Sequence, residues 1–173
     1  MKRMGSTMHP LNKGLLFVLL LMLQAAANGG SVQKADAVLV IKSEKRLYLI
    51  SKGERFASLP VTFGARPVGH KQARGDERTP EGHYVLDYKN PNSKFYKSIH
   101  ISYPSEKDWL SARQSGVDPG GDIMVHGQTN GWQWASPLVQ LFSWTDGCVA
   151  LSNKNMDQVW AAVDSGTPIE IRP

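Results

Sequence analysis

Short apolar runs separated by turn-forming residues dominate the chain after residue 36. The first three runs, at residues 37–41, 47–50 and 55–63, are divided by turns at residues 43–46 and 51–54. Strand-like runs at such close spacing predict an antiparallel meander. Further strands are predicted at residues 83–88, 98–102, 123–125 and 167–171.

Two segments have a helical pattern. Residues 104–114 are predicted as a helix with Pro104 in its first turn and Gly116 just past its end. A second helix is predicted with Asn153 as its N-cap, because asparagine caps helices well. Its apolar residues share one face at helical spacing, namely Met156, Val159, Trp160 and Val163. Residues 137–142 could add one or two helical turns.

Many strands with few helices predict an α+β, mainly β fold, with a β-sandwich or barrel-like core and a C-terminal helix. A length of 173 residues is enough for one domain with a substantial core. Residues 28–36 are small and polar, and we interpret them as a short tether. The domain is therefore expected to occupy residues 37–173.

The first 27 residues have the pattern of a secretory signal peptide. A basic start is followed by the apolar run 15–23 and then by three alanines at residues 25–27. The apolar run is short for a membrane span, which takes about 20 residues. We expect an exported, periplasmic protein, anchored in the membrane if the leader is not cleaved.

The charge of the chain is uneven. Its formal net charge is +5, but the leader contributes three basic residues and no acidic one. The remainder carries 17 basic and 15 acidic side chains, and no basic run has interleaved aromatic residues. A nucleic-acid partner is therefore not expected.

Export changes the meaning of the single cysteine, Cys148. In an oxidising compartment a lone cysteine has no internal disulfide partner, so it is buried, paired with another chain or kept as a working thiol. His126 follows another apolar run, and a histidine has the right pKa to accept a thiol proton near neutral pH. Both residues are interpreted as ending strand-like runs, which adjacent strands would bring together as a nucleophile and its base.

The residues around Cys148 fit this interpretation. Gly147 permits a tight turn, and the N–H groups of Gly147 and Cys148 could form an oxyanion hole. Asp146 either orients His126 or stabilises the turn. Ser152 and Asn153 are interpreted as helix-capping residues rather than catalytic ones.

A long loop, residues 64–82, is rich in charge, glycine and proline. Loops of this length inside a domain are usually functional or disordered, and we favour a loop that faces substrate over a merely solvated one. Its candidate substrate-binding residues are His70, Lys71, Arg74 and Arg78.

The motifs resemble a known family. His126-Gly127, the run Thr145-Asp-Gly-Cys-Val-Ala-Leu-Ser-Asn153, and the terminal Thr-Pro-Ile-Glu-Ile strand are similar to the L,D-transpeptidase catalytic (YkuD-like) domain. Residues 75–84 resemble the Thr-Pro-Glu-Gly strand start of the same family. The common motif has histidine two places before the cysteine and often arginine two places after it. Asp146 and Ala150 stand there instead, so the contacts of that arginine do not carry over. The Thr-Asp-Gly-Cys run resembles the YafK-like subgroup.

The resemblance implies acyl transfer on peptidoglycan stem peptides, without a cofactor. Cys148 would attack the carbonyl of a diaminopimelate residue and His126 would relay the proton. The acceptor is left open among a second diaminopimelate amine, a lysine of a peptidoglycan-anchored lipoprotein and water. Water would make the protein a hydrolase of stem-peptide or peptidoglycan–lipoprotein amides.

Three other interpretations compete. Metal binding could use the histidines and the cysteine, but no pair has the close spacing of common zinc sites, and no metal is expected. Trp132, Trp134 and Trp144 could stack on a sugar or peptide, although packing is the favoured interpretation. A non-catalytic wall-binding module would keep the fold, but such a descendant would most easily lose Cys148 or His126.

Overall fold

The computed structural model describes residues 32–131 and 145–173. These residues form eight strands: β1 (Ala37–Ile41), β2 (Arg46–Ser51), β3 (Glu54–Pro60), β4 (Gly82–Asn90), β5 (Ser98–Ile101), β6 (Met124–His126), β7 (Val149–Ala150) and β8 (Thr167–Arg172). The described ranges also hold two α-helices, α1 (Glu106–Gln114) and α2 (Asn153–Ala162). The leader, the interpreted tether up to residue 31, the turns at 137–142 and the three tryptophans lie outside the described residues.

All eight strands belong to one mixed sheet, in the order β3-β2-β1-β8-β4-β5-β6-β7. The predicted meander is present, since β1 pairs with β2 and β2 with β3, both antiparallel. The parallel pairs are β1 with β8 and β6 with β7. The predicted mainly β fold with a barrel-like core and a helix near the C-terminus is confirmed.

The chain that follows β3 returns to the opposite end of the sheet. Thr62 and Ala150 exchange two backbone hydrogen bonds of 2.9 Å, so residue 62 pairs with β7. Gly64 bridges Thr145 two residues further on. The start of the loop 64–82 is thereby fixed beside the strand that follows Cys148.

The core is apolar and is closed by α2. Met156, Val159 and Val163 are completely buried in the core, as their helical spacing predicts, whereas Trp160 of the same predicted face is only partly buried. Burying a side chain of this size stabilises the fold by about 1.5–3 kcal/mol. This packing holds the start of α2 close to the sequence around Cys148.

The helix starts differ from the prediction by one or two residues. Helix α1 begins at Glu106, with Ser105 and Asp108 forming a reciprocal capping box, so Pro104 precedes the cap instead of lying in the first turn. Helix α2 is capped by Ser152, whose hydroxyl accepts the Asn155 N–H, and not by Asn153. Of the described residues, no helix is long and apolar enough to cross a membrane.

Candidate active site

Cys148 stands immediately before β7, beside the start of β6. The parallel register pairs Val125 with Val149 and His126 with Ala150, which sets Cys148 opposite Met124. The Met124 N–H donates to Sγ of Cys148 at 3.4 Å, and Sγ lies 3.7 Å from the Asp122 carbonyl oxygen. The expectation that both residues end strands is therefore wrong for Cys148, because it precedes its strand and is offset from His126 by two positions of the register.

A local turn presents the thiol. The Thr145 hydroxyl donates to the Cys148 carbonyl at 2.8 Å and accepts the Gly147 N–H at 3.3 Å. Gly147 has a φ of +124°, and a Cβ there would lie only 2.4 Å from the Arg78 carbonyl oxygen. Both its conformation and its surroundings therefore require glycine.

The two N–H groups predicted for the oxyanion hole differ in whether they are already hydrogen-bonded. The Gly147 N–H already donates to Thr145 within the turn. The Cys148 N–H has no hydrogen-bond acceptor in residues 32–131 or 145–173. Of the two, the Cys148 N–H is thus the one that this turn leaves available to a developing oxyanion.

His126 ends β6 and is 2% exposed. Its Nδ1 lies 2.5 Å from the Gly127 carbonyl oxygen, and its ring packs on Phe95 with centroids 4.6 Å apart. A carbonyl oxygen only accepts hydrogen bonds, so Nδ1 carries the hydrogen and the neutral ring has its lone pair on Nε2. Nε2 is consequently the atom that would accept a proton from a thiol.

The surroundings keep both groups neutral. Burial lowers the pKa of His126 to about 4, although the Gly127 carbonyl acts in the opposite direction. Desolvation raises the pKa of the Cys148 thiol, and the carboxylates of Asp146 and Asp122 add to this, while the Met124 N–H and the Lys71 ammonium oppose it. At neutral pH the resting site therefore holds a thiol and an imidazole rather than a thiolate–imidazolium pair.

Asp146, two residues before Cys148 in the sequence, is exposed and lines a cavity of about 390 Å³. Asp146 does not orient His126 through Nδ1, because the Gly127 carbonyl already contacts this atom, which an orienting carboxylate would have to contact. The cavity is also lined by residues of the long loop and of the segment before β6, namely Lys71, Arg74, Gly75, Glu77, Gly120 and Gly121.

The candidate substrate-binding residues of the loop 64–82 are spread over different surroundings. Lys71 is 2% exposed, and its ammonium group is ion-paired with Asp76 at 2.8 Å. Arg74 is exposed and paired with Asp118, also at 2.8 Å. The guanidinium of Arg78 has no ion pair within the part of the chain that the structure describes.

His70 belongs to another cavity. Its Nε2 lies 3.1 Å from Asp108, and its Nδ1 accepts the Glu81 N–H. These residues line a cavity of about 680 Å³ together with Tyr84. The structure thus places Lys71 and Arg74 around the cavity beside Asp146, and His70 elsewhere.

Sequence reasoning missed several residues that build the site. Phe95 supports the imidazole, Thr145 folds the turn, and Asn153 contacts the chain next to His126. Threonine and asparagine at turns are common, so their patterns alone do not separate these roles from ordinary capping. Among the described residues, no group of three histidine, cysteine or acidic side chains could hold a metal ion.

The turn at Cys148 and the histidine on the neighbouring strand are features that can be compared with known protein families. Residues 35–171 match the model of the YkuD L,D-transpeptidase catalytic domain. The chain belongs to this family, as the resemblance of its motifs predicts.

Individual relatives agree with this assignment. YafK of Escherichia coli K12 is 29% identical over 132 residues, which cover 73% of this chain and 46% of YafK. The crystal structure of the helical cell shape determining protein Pgp2 from Campylobacter jejuni is similar with a TM-score of 0.59 and 25% identity, covering 88% of this chain and 54% of Pgp2. An L,D-transpeptidase from Mycobacterium smegmatis shares the fold, with a TM-score of 0.53 at 15% identity over 79% of this chain and 58% of that one. The chain spans about half the length of YafK and Pgp2.

Proposed function

We propose that the protein is a cysteine acyltransferase that acts on the stem peptides of peptidoglycan. The observation that carries the proposal is the hydrogen bond from Nδ1 of His126 to the Gly127 carbonyl, at 2.5 Å, beside the strand that follows Cys148. This bond selects the tautomer that a general base needs, in a chain of the L,D-transpeptidase family. The backbone carbonyl takes the orienting position that a carboxylate has in many triads.

The reaction would begin from the neutral pair. Nε2 of His126 takes the proton from Cys148 as Sγ attacks the carbonyl carbon of the diaminopimelate residue. The oxyanion of the tetrahedral intermediate is stabilised by the Cys148 N–H. The intermediate then expels the terminal amine, which receives the proton from the imidazolium, and a thioester on Sγ remains.

The second half-reaction decides the product. An amine acceptor gives its proton to His126 and attacks the thioester. Sγ leaves and takes the proton from the imidazolium, which restores the neutral pair and completes a transpeptidation. Water in the same position would hydrolyse the thioester, so the enzyme would trim stem peptides or release a lipoprotein. Pgp2 is named as a helical cell shape determining protein, and this likeness supports a role in remodelling the wall. The predicted leader would direct the chain to the periplasm, where this role would be carried out.

The test is an incubation of the purified protein with defined disaccharide tetrapeptides, analysed by mass spectrometry. A cross-linked dimer that has lost one alanine supports transpeptidation. A shortened tripeptide without dimer supports the hydrolytic alternative with the same nucleophile. Intact muropeptides, with the same result for Cys148→Ala, would instead indicate a non-catalytic wall-binding module.

A further inference from the structure

The side chain of Asn153 does not serve the helix in which it lies. Asn153 is the first residue of α2, but Ser152 provides the cap by accepting the Asn155 N–H at 3.2 Å. Asn153 instead points its Oδ1 away from the helix, to the backbone N–H of Gln128 at 2.8 Å. The contact joins α2 to the residues that directly follow His126.

The N–H that Asn153 binds belongs to the same peptide group as the carbonyl that orients His126. The group linking Gly127 and Gln128 is planar, so the directions of its C=O and N–H are fixed relative to each other. A partner that holds the N–H therefore also aims the carbonyl at Nδ1 of His126. It also polarises the amide, which makes the oxygen a better acceptor.

Tight packing reinforces the hydrogen bond. A Cβ on Gly127 would lie 2.7 Å from Oδ1 of Asn153 and 2.9 Å from Cβ of Tyr96, so this peptide is enclosed from two sides. The Gly127 N–H donates to the Lys97 carbonyl at 3.1 Å, which fixes the preceding peptide as well. Within this enclosure, Asn153 supplies the contact to the peptide that faces the imidazole.

We infer that Asn153 is a positioning residue for His126, acting through the Gly127–Gln128 peptide to fix the tautomer and direction of the imidazole. The inference rests on the proposed function, in which His126 is the base. The hydrogen bond of the Asn153 side chain goes to the Gln128 N–H, and Asn153 makes none to Cys148 within the described residues. Its effect is expected in the proton transfer rather than in substrate binding.

The test compares Asn153→Ala with Asn153→Asp and with a matched control, Asn155→Ala. Asn155 lies in the same helical turn, and its side chain makes no hydrogen bond within the described residues. The first measurement is the imidazole ¹⁵N spectrum of His126 in the free protein, assigned by comparison with His126→Gln. We expect Asn153→Ala to lose the single Nδ1–H form, whereas Asn153→Asp and Asn155→Ala retain it.

The second measurement is the pH profile of muropeptide turnover. We expect Asn153→Ala to lower kcat about tenfold with little change in KM, as loss of one hydrogen bond that holds the Gly127–Gln128 peptide in place would do. Asn153→Asp keeps an acceptor for the Gln128 N–H, so it should restore most of kcat and move the acidic limb to higher pH through its added negative charge.

Two results would overturn the inference. One is an unchanged His126 spectrum and unchanged kcat in Asn153→Ala, and the other is an equal loss in Asn155→Ala. The spectrum needs no substrate, so it separates the two proposals. If it shifts as expected while the wild-type protein turns over no muropeptide, the positioning role stands and the proposed function fails.

Discussion

His126 and Asp76 both titrate below their usual range, but for opposite reasons. Around His126, burial disfavours the charged ring and lowers its pKa to about 4. Around Asp76 burial acts in the other direction, and the hydrogen bonds from the N–H groups of Gln72, Ala73 and Arg78 and from Lys71 outweigh it, lowering the pKa to about 2. One region keeps its titratable group neutral and the other keeps it ionised.

The two pKa shifts fit different roles, a catalytic one proposed for His126 and a structural one for Asp76. A base must be neutral before it can accept a proton, and the dry setting of His126 ensures this at neutral pH. The carboxylate of Asp76 is a structural centre, because its two oxygens accept from three backbone N–H groups and from the buried Lys71. Within the long loop, the negative charge of Asp76 is therefore already compensated by these hydrogen bonds and by the Lys71 ammonium group.

The largest effect is expected from the neutral pair itself. His126→Gln and Cys148→Ala should each lower muropeptide turnover by at least about 10³-fold, because residues that act as one catalytic unit fail together. The double variant should be no worse than either single one, and Michaelis–Menten kinetics of all three would check this. Independent, multiplicative losses would show that the two residues do not act as a pair.

A pH titration of stability should resolve the two regions. His126 has a folded pKa of about 4, below the 6.5 that is usual for a histidine, so its contribution to the free energy of unfolding is present above pH 6.5 and is lost as the pH falls towards 4. The loss amounts to at most about 3 kcal/mol, from 1.36 kcal/mol per unit of pKa. The contribution of Asp76 should persist to lower pH and be lost between about pH 4 and pH 2.

Urea unfolding at a series of pH values, with His126→Gln and Asp76→Asn beside the wild type, would measure these steps. His126→Gln should remove the loss of stability that begins below pH 6.5 and leave the loss between about pH 4 and pH 2. If both variants have the wild-type profile, other groups cause the acid lability.

Asp76→Asn is expected to lower the free energy of unfolding by about 2 kcal/mol at pH 7. The substitution leaves the ammonium of Lys71, which is 2% exposed, without its ionised partner. Chemical denaturation would measure the loss, and hydrogen exchange should locate it in residues 71–78. A loss spread evenly over the sheet would contradict the local role of this carboxylate.

Arg74→Ala should have the smallest effect on stability, with a free energy of unfolding close to that of the wild type. Its ion pair with Asp118 is exposed on both sides, and such pairs contribute little. The comparison with Asp76→Asn uses the same denaturation experiment. Because Arg74 lines the cavity next to Asp146, an increase in KM without a change in stability would support its predicted role in binding substrate.

The sequence was informative about the elements and less so about their contacts. Apolar runs located the strands, and the spacing of Met156, Val159 and Val163 located the buried face of α2. The pairing of residue 62 with β7 could not be predicted, because a contact between positions so distant in the chain leaves no periodic signal.

The same limit applies to the site. Cys148 and His126 were identifiable from their residue types, but the two-residue offset between them follows from the parallel register of β6 and β7. Ser152 and Asn153 are both good capping residues, and only the fold decides that Ser152 caps while Asn153 reaches across to Gln128. Neighbouring polar residues with equal propensity are separated by tertiary contacts.

The pairing of Thr62 with Ala150 also restricts how a peptide can bind. Strand β7 has β6 on one side and residue 62 on the other, so both of its edges are already occupied. Many enzymes and binding domains capture an extended peptide by adding it to an open sheet edge. A stem peptide could not dock on β7 in that way, and it would have to be held by side chains and by the turn around Cys148.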